Sequence, residues 1–314
     1  MMKSPVNHLS PAKQFLLFVA VFAGVFVACN ILGFVVIAVF FGLKILTDIG
    51  TANFSNPQTL RALYILQILA MTLPIFLGPW VFSKWVVKNT EEYLRTNKRF
   101  HLILLALVFV IMMVSVPLIE VLGNFNQGLV LPKWLKGLED WMRASEKAAE
   151  LLTAAILKMN TIWDVIKNVI LLGVLTAIAE EIMFRGVLQT ILHKWTKNIH
   201  ASIWIGAALF SAFHMEFYGF LPRMLLGGIF GYLVAYSGSI WPAIWGHFLN
   251  NSTIVVVTYL YQKNIITLNP EDTNVFNTPI YLFSLIIIII LLIVYKKVAL
   301  DKKLNPVVNG EKLG

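Results

Sequence analysis

Charge is scarce in this chain. Only 13% of its 314 residues are Asp, Glu, Lys or Arg, about half of the roughly 25% usual in soluble domains. That deficit excludes an ordinary water-soluble globular protein. Cysteine is nearly absent, and the single Cys29 excludes both an intramolecular disulfide framework and a cysteine-built metal site. Acidic residues are the scarcer sign, 16 against 25 basic ones. The resulting +9 collects between apolar runs, so the positive-inside rule explains it and nucleic acid is not an expected partner. What the chain does have is apolar length: 58% hydrophobic residues and a mean hydropathy of +0.77. The fold class expected is all-α, a polytopic membrane bundle whose solvent is the lipid bilayer.

A span needs about 20 apolar residues, and eight candidates lie near 14–42, 62–83, 101–122, 165–192, 199–215, 217–236, 240–261 and 278–298. The first outlasts a signal-peptide core of about 7–15 residues and reads as a retained helix. Lys84, Lys98, Arg99, Lys194, Lys197, Lys296 and Lys297 fall at one set of loop ends, which predicts both termini on the cytoplasmic side. His101, His193 and His200 fall at span ends, as does His8, and the tail after Lys303 reads as disordered. Between the third and fourth spans, apolar residues from Trp134 through Leu138, Trp141, Met142, Ala149, Leu152 and Ile156 to Met159 recur at helical spacing. They predict an amphipathic helix in the membrane interface. Gly227 and Gly231 form a GxxxG spacing that predicts tight packing between helices of the same chain. Residues 1–164, 165–255 and 256–314 are expected to be an N-terminal helical part, a core that carries the polar intramembrane residues, and a last span with its tail.

The stretch with the most to explain is Ala179-Glu180-Glu181-Ile182-Met183-Phe184-Arg185, inside the fourth span. A charge at a helix centre in a bilayer costs roughly 2.5–3.5 kcal/mol on insertion scales, so such residues face the bundle interior and mark function. Two other spans carry polar residues at depth. Phe210-Ser211-Ala212-Phe213-His214 ends the fifth, and His247-Phe248-Leu249-Asn250-Asn251 lies in the seventh. Residues four apart share a helix face, which couples Glu181 to Arg185, Phe210 to His214 and His247 to Asn251. At about 1.5 Å per residue, Glu180, His214, His247 and Asn251 converge on one level although their spans alternate in direction. The counts predict a single site that opens, if anywhere, toward the basic end.

Such a site permits hydrolysis. A carboxylate beside histidines can deprotonate water for attack on a carbonyl, and His or Asn can donate to the developing oxyanion. Glu180, His214 and His247 could instead hold a zinc ion with an open water position. No serine with His and Asp partners stands at matching depth. The Glu181–Arg185 pair reads as a structural ion pair, and Asp164, Glu216 and Arg223 are assigned no function.

These residues resemble the CPBP family (CAAX proteases and bacteriocin-processing enzymes, also called Abi), whose signature is EExxxR, FxxxH and HxxxN on separate transmembrane helices. Here the motifs run from Glu180 to Arg185, Phe210 to His214 and His247 to Asn251. Tyr236-Ser237-Gly238-Ser239-Ile240-Trp241-Pro242 is similar to the family's connector before the third motif. The resemblance spans roughly 165–255. It implies an intramembrane endopeptidase related to the type II CAAX prenyl endopeptidases. Glu180 would activate water with His214, His247 and Asn251 would form the oxyanion hole, and Glu181, Arg185 and Phe210 would support the site. It leaves zinc and metal-independent chemistry both open. It also implies a peptide or membrane-protein segment as substrate and a bacterial plasma membrane as location. The rival expectations are a non-catalytic scaffold or bacteriocin-immunity protein and an ion-coupled transporter, the last disfavoured by the lack of internal repeats.

Overall fold

The computed structural model describes residues 9–87, 89–270, 272 and 274–301. His8 and the tail after Lys303 lie outside them. Every predicted span is a helix: α1 (Pro11–Phe41), α3 (Pro57–Val86), α5 (Ile103–Gln127), α7 (Ile162–Thr196), α8 (Ile199–Phe213), α9 (Phe220–Ser237), α10 (Trp241–Gln262) and α11 (Thr278–Leu300). Between them lie the short helices α2 (Leu43–Gly50) and α4 (Thr90–Leu94) and the amphipathic helix α6 (Lys136–Leu157). The protein is an integral, multi-pass membrane bundle.

Among the described residues six helices, the third-motif helix α10 and the 15-residue α8 aside, are both long and apolar enough to cross a bilayer. The reason lies in the motifs. Helix α10 carries His247, Asn250, Asn251 and Ser252 in its middle, and α8 ends at His214 because the following residue, Met215, turns left-handed at φ 56°. The long first span bends where Gly42 takes φ 85°, a conformation open chiefly to glycine, and continues as α2.

Helix starts follow side-chain caps. Asn56, Asn198 and Asn277 each accept from a backbone N–H of the first turn of α3, α8 and α11. Asp164 has the same kind of task. With Thr161 it forms a reciprocal capping box that opens the glutamate-bearing α7.

Helix α3 contains one π-helical segment (Gln67–Thr72), and α7 contains two (Val169–Leu175 and Ile182–Leu188). A π segment disrupts the regular i→i−4 ladder, and in each of two of these segments a distant asparagine donates to a carbonyl. Asn30 donates to the Ala70 carbonyl at 3.2 Å and Asn251 to the Leu172 carbonyl at 2.9 Å.

The largest core cluster gathers Phe184, Val187, Phe210, Phe230, Leu233 and Ile240 around the middle of α7, with α8, α9, α10 and α5 packed about it. The GxxxG expectation holds within the chain. A Cβ on Gly227 would stand 3.1 Å from the Ala207 Cα, and one on Gly231 2.8 Å from Ile203 Cγ2. The two glycines therefore let α9 lie directly against α8.

Helix α6 forms where the apolar stripe predicts, but its apolar residues divide. Ile156 is buried against α2 and α3, whereas Leu138 and Trp141 stay exposed, as does Trp134 in the 3-10 turn just before the helix.

Candidate active site

The bundle brings all three motifs together. Glu180 Oε2 lies 3.9 Å from His214 Nε2 and 3.7 Å from His247 Nε2. That oxygen is enclosed and has no hydrogen-bond partner. Each imidazole is oriented through its other nitrogen. His214 Nδ1 sits 2.9 Å from the Phe210 carbonyl, and because a carbonyl only accepts, Nδ1 carries the hydrogen. His247 Nδ1 is 2.9 Å from Glu181 Oε1. With that carboxylate as acceptor it too is the protonated nitrogen, so both Nε2 atoms face Glu180.

Glu181 and Arg185 form the expected pair at 2.7 Å, with side chains fully and almost fully buried. Arg185 also donates to the Gly227 carbonyl at 3.0 Å. Its guanidinium lies 4.6 Å from the Phe210 ring centre and 5.4 Å from that of Phe230, within cation–π range. Phe230 in turn stacks on the His247 ring, 5.2 Å centre to centre. Phe210 thus touches Arg185 and both histidines, which explains a phenylalanine at the head of the second motif. Asn251 holds the Leu172 carbonyl and accepts from Asn250 at 3.1 Å. One of its two amide N–H groups is therefore engaged.

A cavity of about 240 Å³ adjoins these groups, lined by Glu180, Phe210, His214, His247 and Asn251. Thr176, Arg223, Asn250 and Ile254 also line it, and none was assigned to the site from sequence. Asn250 and Ile254 stand three and seven residues after His247, the period of one helix face, so that spacing was a usable signal. Arg223 had none. It pairs with Glu216 through both the carboxylate and the backbone carbonyl, across the 217–219 turn.

Of the lining residues outside the motifs, Thr176, Arg223 and Ile254 lie on the α6 side of the motif residues. At the basic end the loop after α4 packs on the start of α10. There Ile240 N donates to the Arg95 carbonyl, Asn97 to the Gly238 carbonyl and Trp241 Nε1 to the Thr96 carbonyl, at 2.9, 3.0 and 2.9 Å. On the cavity side, Glu146 of α6 accepts from Tyr218 N at 2.8 Å. Burial pushes its carboxyl above the usual carboxylate range, against the opposing pull of that N–H and of Arg223.

The donor set of Glu180, His214 and His247 has the chemistry of a zinc site but not its spacing. Donors around a tetrahedral zinc at about 2.0 Å stand about 3.3 Å apart, whereas these lie 3.7 and 3.9 Å from one oxygen. Among the described residues no group of three or more His, Cys, Asp or Glu is arranged to hold a metal ion.

A buried glutamate facing two oriented imidazoles, inside a multi-pass helical bundle, defines a candidate intramembrane hydrolase site. Residues 162–253, which carry all three motifs, match the family model described as type II CAAX prenyl endopeptidase Rce1-like. The match is a likeness of the motif-bearing segment to the CPBP/CAAX-protease family and supports that resemblance. Comparison with curated proteins and with solved structures gave no match.

Proposed function

We propose that this protein is an intramembrane endopeptidase in which Glu180 and His214 activate the attacking water. The observation that carries the reading is the unpartnered Glu180 Oε2 between two imidazole nitrogens that are each fixed by a second hydrogen bond. An acceptor buried without a partner costs about 1–3 kcal/mol, and a water or substrate group would satisfy it.

In this mechanism the water oxygen attacks the carbonyl carbon of the scissile peptide while Glu180 takes one of its protons. His214, with its hydrogen on Nδ1, offers Nε2 as acceptor for the other O–H. The tetrahedral oxyanion then receives donors from His247 and from the free N–H of Asn251. Donation from His247 Nε2 requires a hydrogen on that nitrogen as well as on Nδ1, whose acceptor is Glu181. Collapse breaks the C–N bond, and the proton held by Glu180 leaves with the amine. The apolar cavity wall of Phe210, Leu226, Phe230 and Ile254 suits a peptide or membrane-protein segment presented from the bilayer. In this reading the basic end of the bundle faces the cytoplasm, as the positive-inside rule favours, and the membrane is the plasma membrane of a bacterium.

The test is cleavage of a fluorogenic lipid-linked peptide by the purified protein with and without a chelator. Activity retained in chelator supports water activated by glutamate alone. Activity lost in chelator and restored by zinc overturns the metal-independent mechanism. A folded protein that cuts no member of a peptide library would instead be a scaffold.

A further inference from the structure

The second motif ends at an irregular turn. His214 is the first residue after α8, Met215 is left-handed at φ 56°, and a short 3-10 turn, Phe217–Gly219, leads into α9. A non-glycine residue at positive φ is strained and persists only where its surroundings over-determine it. The turn's backbone groups are held by side chains from three other helical segments. Ser211 of α8 donates to the Phe220 carbonyl at 2.6 Å, and Glu146 of α6 accepts from Tyr218 N. The third clamp is Asn126, in the last turn of α5 and only 4% exposed. Its Nδ2 donates to the Phe217 carbonyl at 2.9 Å and its Oδ1 accepts from Leu221 N at 2.7 Å.

We infer that Asn126 is a positioning residue for His214, stapling both ends of the 217–219 turn so that the imidazole stays opposite Glu180. Asparagine is the residue type this position needs, since one side chain must offer a donor and an acceptor at once. Aspartate of the same shape keeps the acceptor but turns a second oxygen on the Phe217 carbonyl. Helix α5 reaches no motif residue through this contact. Its influence passes through the turn, from Phe217 and Leu221 to the stretch beginning at His214. A shift near 1 Å at a reacting group costs about 100-fold in rate, so a loosened turn is felt in turnover rather than in binding.

The role of His214 in turnover rests on the proposed function, but its placement by Asn126 does not, and the experiment separates the two. The purified full chain, labelled at its six histidines, is compared as wild type, Asn126→Asp and Asn126→Ala, with the His214 ring resonance assigned by its loss in His214→Gln. The expected result is displacement of the His214 resonance with that of His247 unmoved, and a kcat about 10- to 100-fold lower at KM within about twofold. A lower melting midpoint with the His214 resonance and kcat unchanged would overturn the inference. If the wild type cleaves nothing, the resonances alone decide. If neither Asn126 variant folds, Glu146→Ala loosens the same turn from α6. A smaller displacement of His214 is then expected, and none would count against the inference.

Discussion

His247 donates from Nδ1 to the same Glu181 oxygen that receives Arg185, at 2.9 and 2.7 Å. The second glutamate of the first motif is therefore shared between its own helix and the third motif. It orients an imidazole whose far nitrogen faces Glu180, much as outer carboxylates fix histidines in other hydrolytic sites.

Removing one partner should expose that dependence. Arg185→Met leaves the buried Glu181 charge uncompensated, and breaking such a pair costs about 3–5 kcal/mol. Thermal unfolding in detergent should show the loss. The double variant Glu181→Leu with Arg185→Met should recover part of the stability but none of the activity, because His247 stays without its acceptor.

The close approach of α9 to α8 gives a second expectation. A Cβ on Gly227 would stand 3.0–3.1 Å from Ala207 Cβ and Cα, against a backbone that cannot swing aside. Gly227→Ala should cost about 1–3 kcal/mol, the range for overpacking. It should also weaken the Arg185 contact to the Gly227 carbonyl, lowering activity of the folded fraction. Gly24→Ala is the control, since nothing lies within 4 Å of that position, and it should leave both unfolding and cleavage unchanged.

Asn251 carries a third. Its engagement with the Leu172 carbonyl orients the amide, and an oxyanion-hole donor is worth about 100- to 1,000-fold in kcat. Asn251→Ala should lose that much turnover with KM nearly unchanged. A variant that raises KM alone would make Asn251 a substrate-binding group instead.

The membrane bundle and the three motifs were legible because each rests on a pattern within one helix. Apolar length marks the spans, and i,i+4 spacing groups Glu181 with Arg185, Phe210 with His214 and His247 with Asn251. Contacts that depend on how helices rotate against one another were not. The Glu181–His247 bond joins residues 66 apart, and the Asn251–Leu172 bond joins residues 79 apart, at a carbonyl within a π segment of α7 that the sequence does not announce. The loop contacts escaped for a related reason: depth counting places residues along the bundle axis but carries no information on how a loop pairs with another, as Arg95, Thr96 and Asn97 do with the 238–241 stretch. Arg223 looked interfacial in sequence because its partner Glu216 and its cavity wall meet only through the 217–219 turn.

The central claim is that Glu180 is the base at which the motifs converge, and cleavage by the purified protein beside Glu180→Gln tests it most directly. The account predicts that the variant folds with an unchanged melting profile, since Glu180 makes no hydrogen bond through its enclosed oxygen, and that cleavage is abolished. A folded Glu180→Gln protein that still cleaves at the wild-type rate would contradict it.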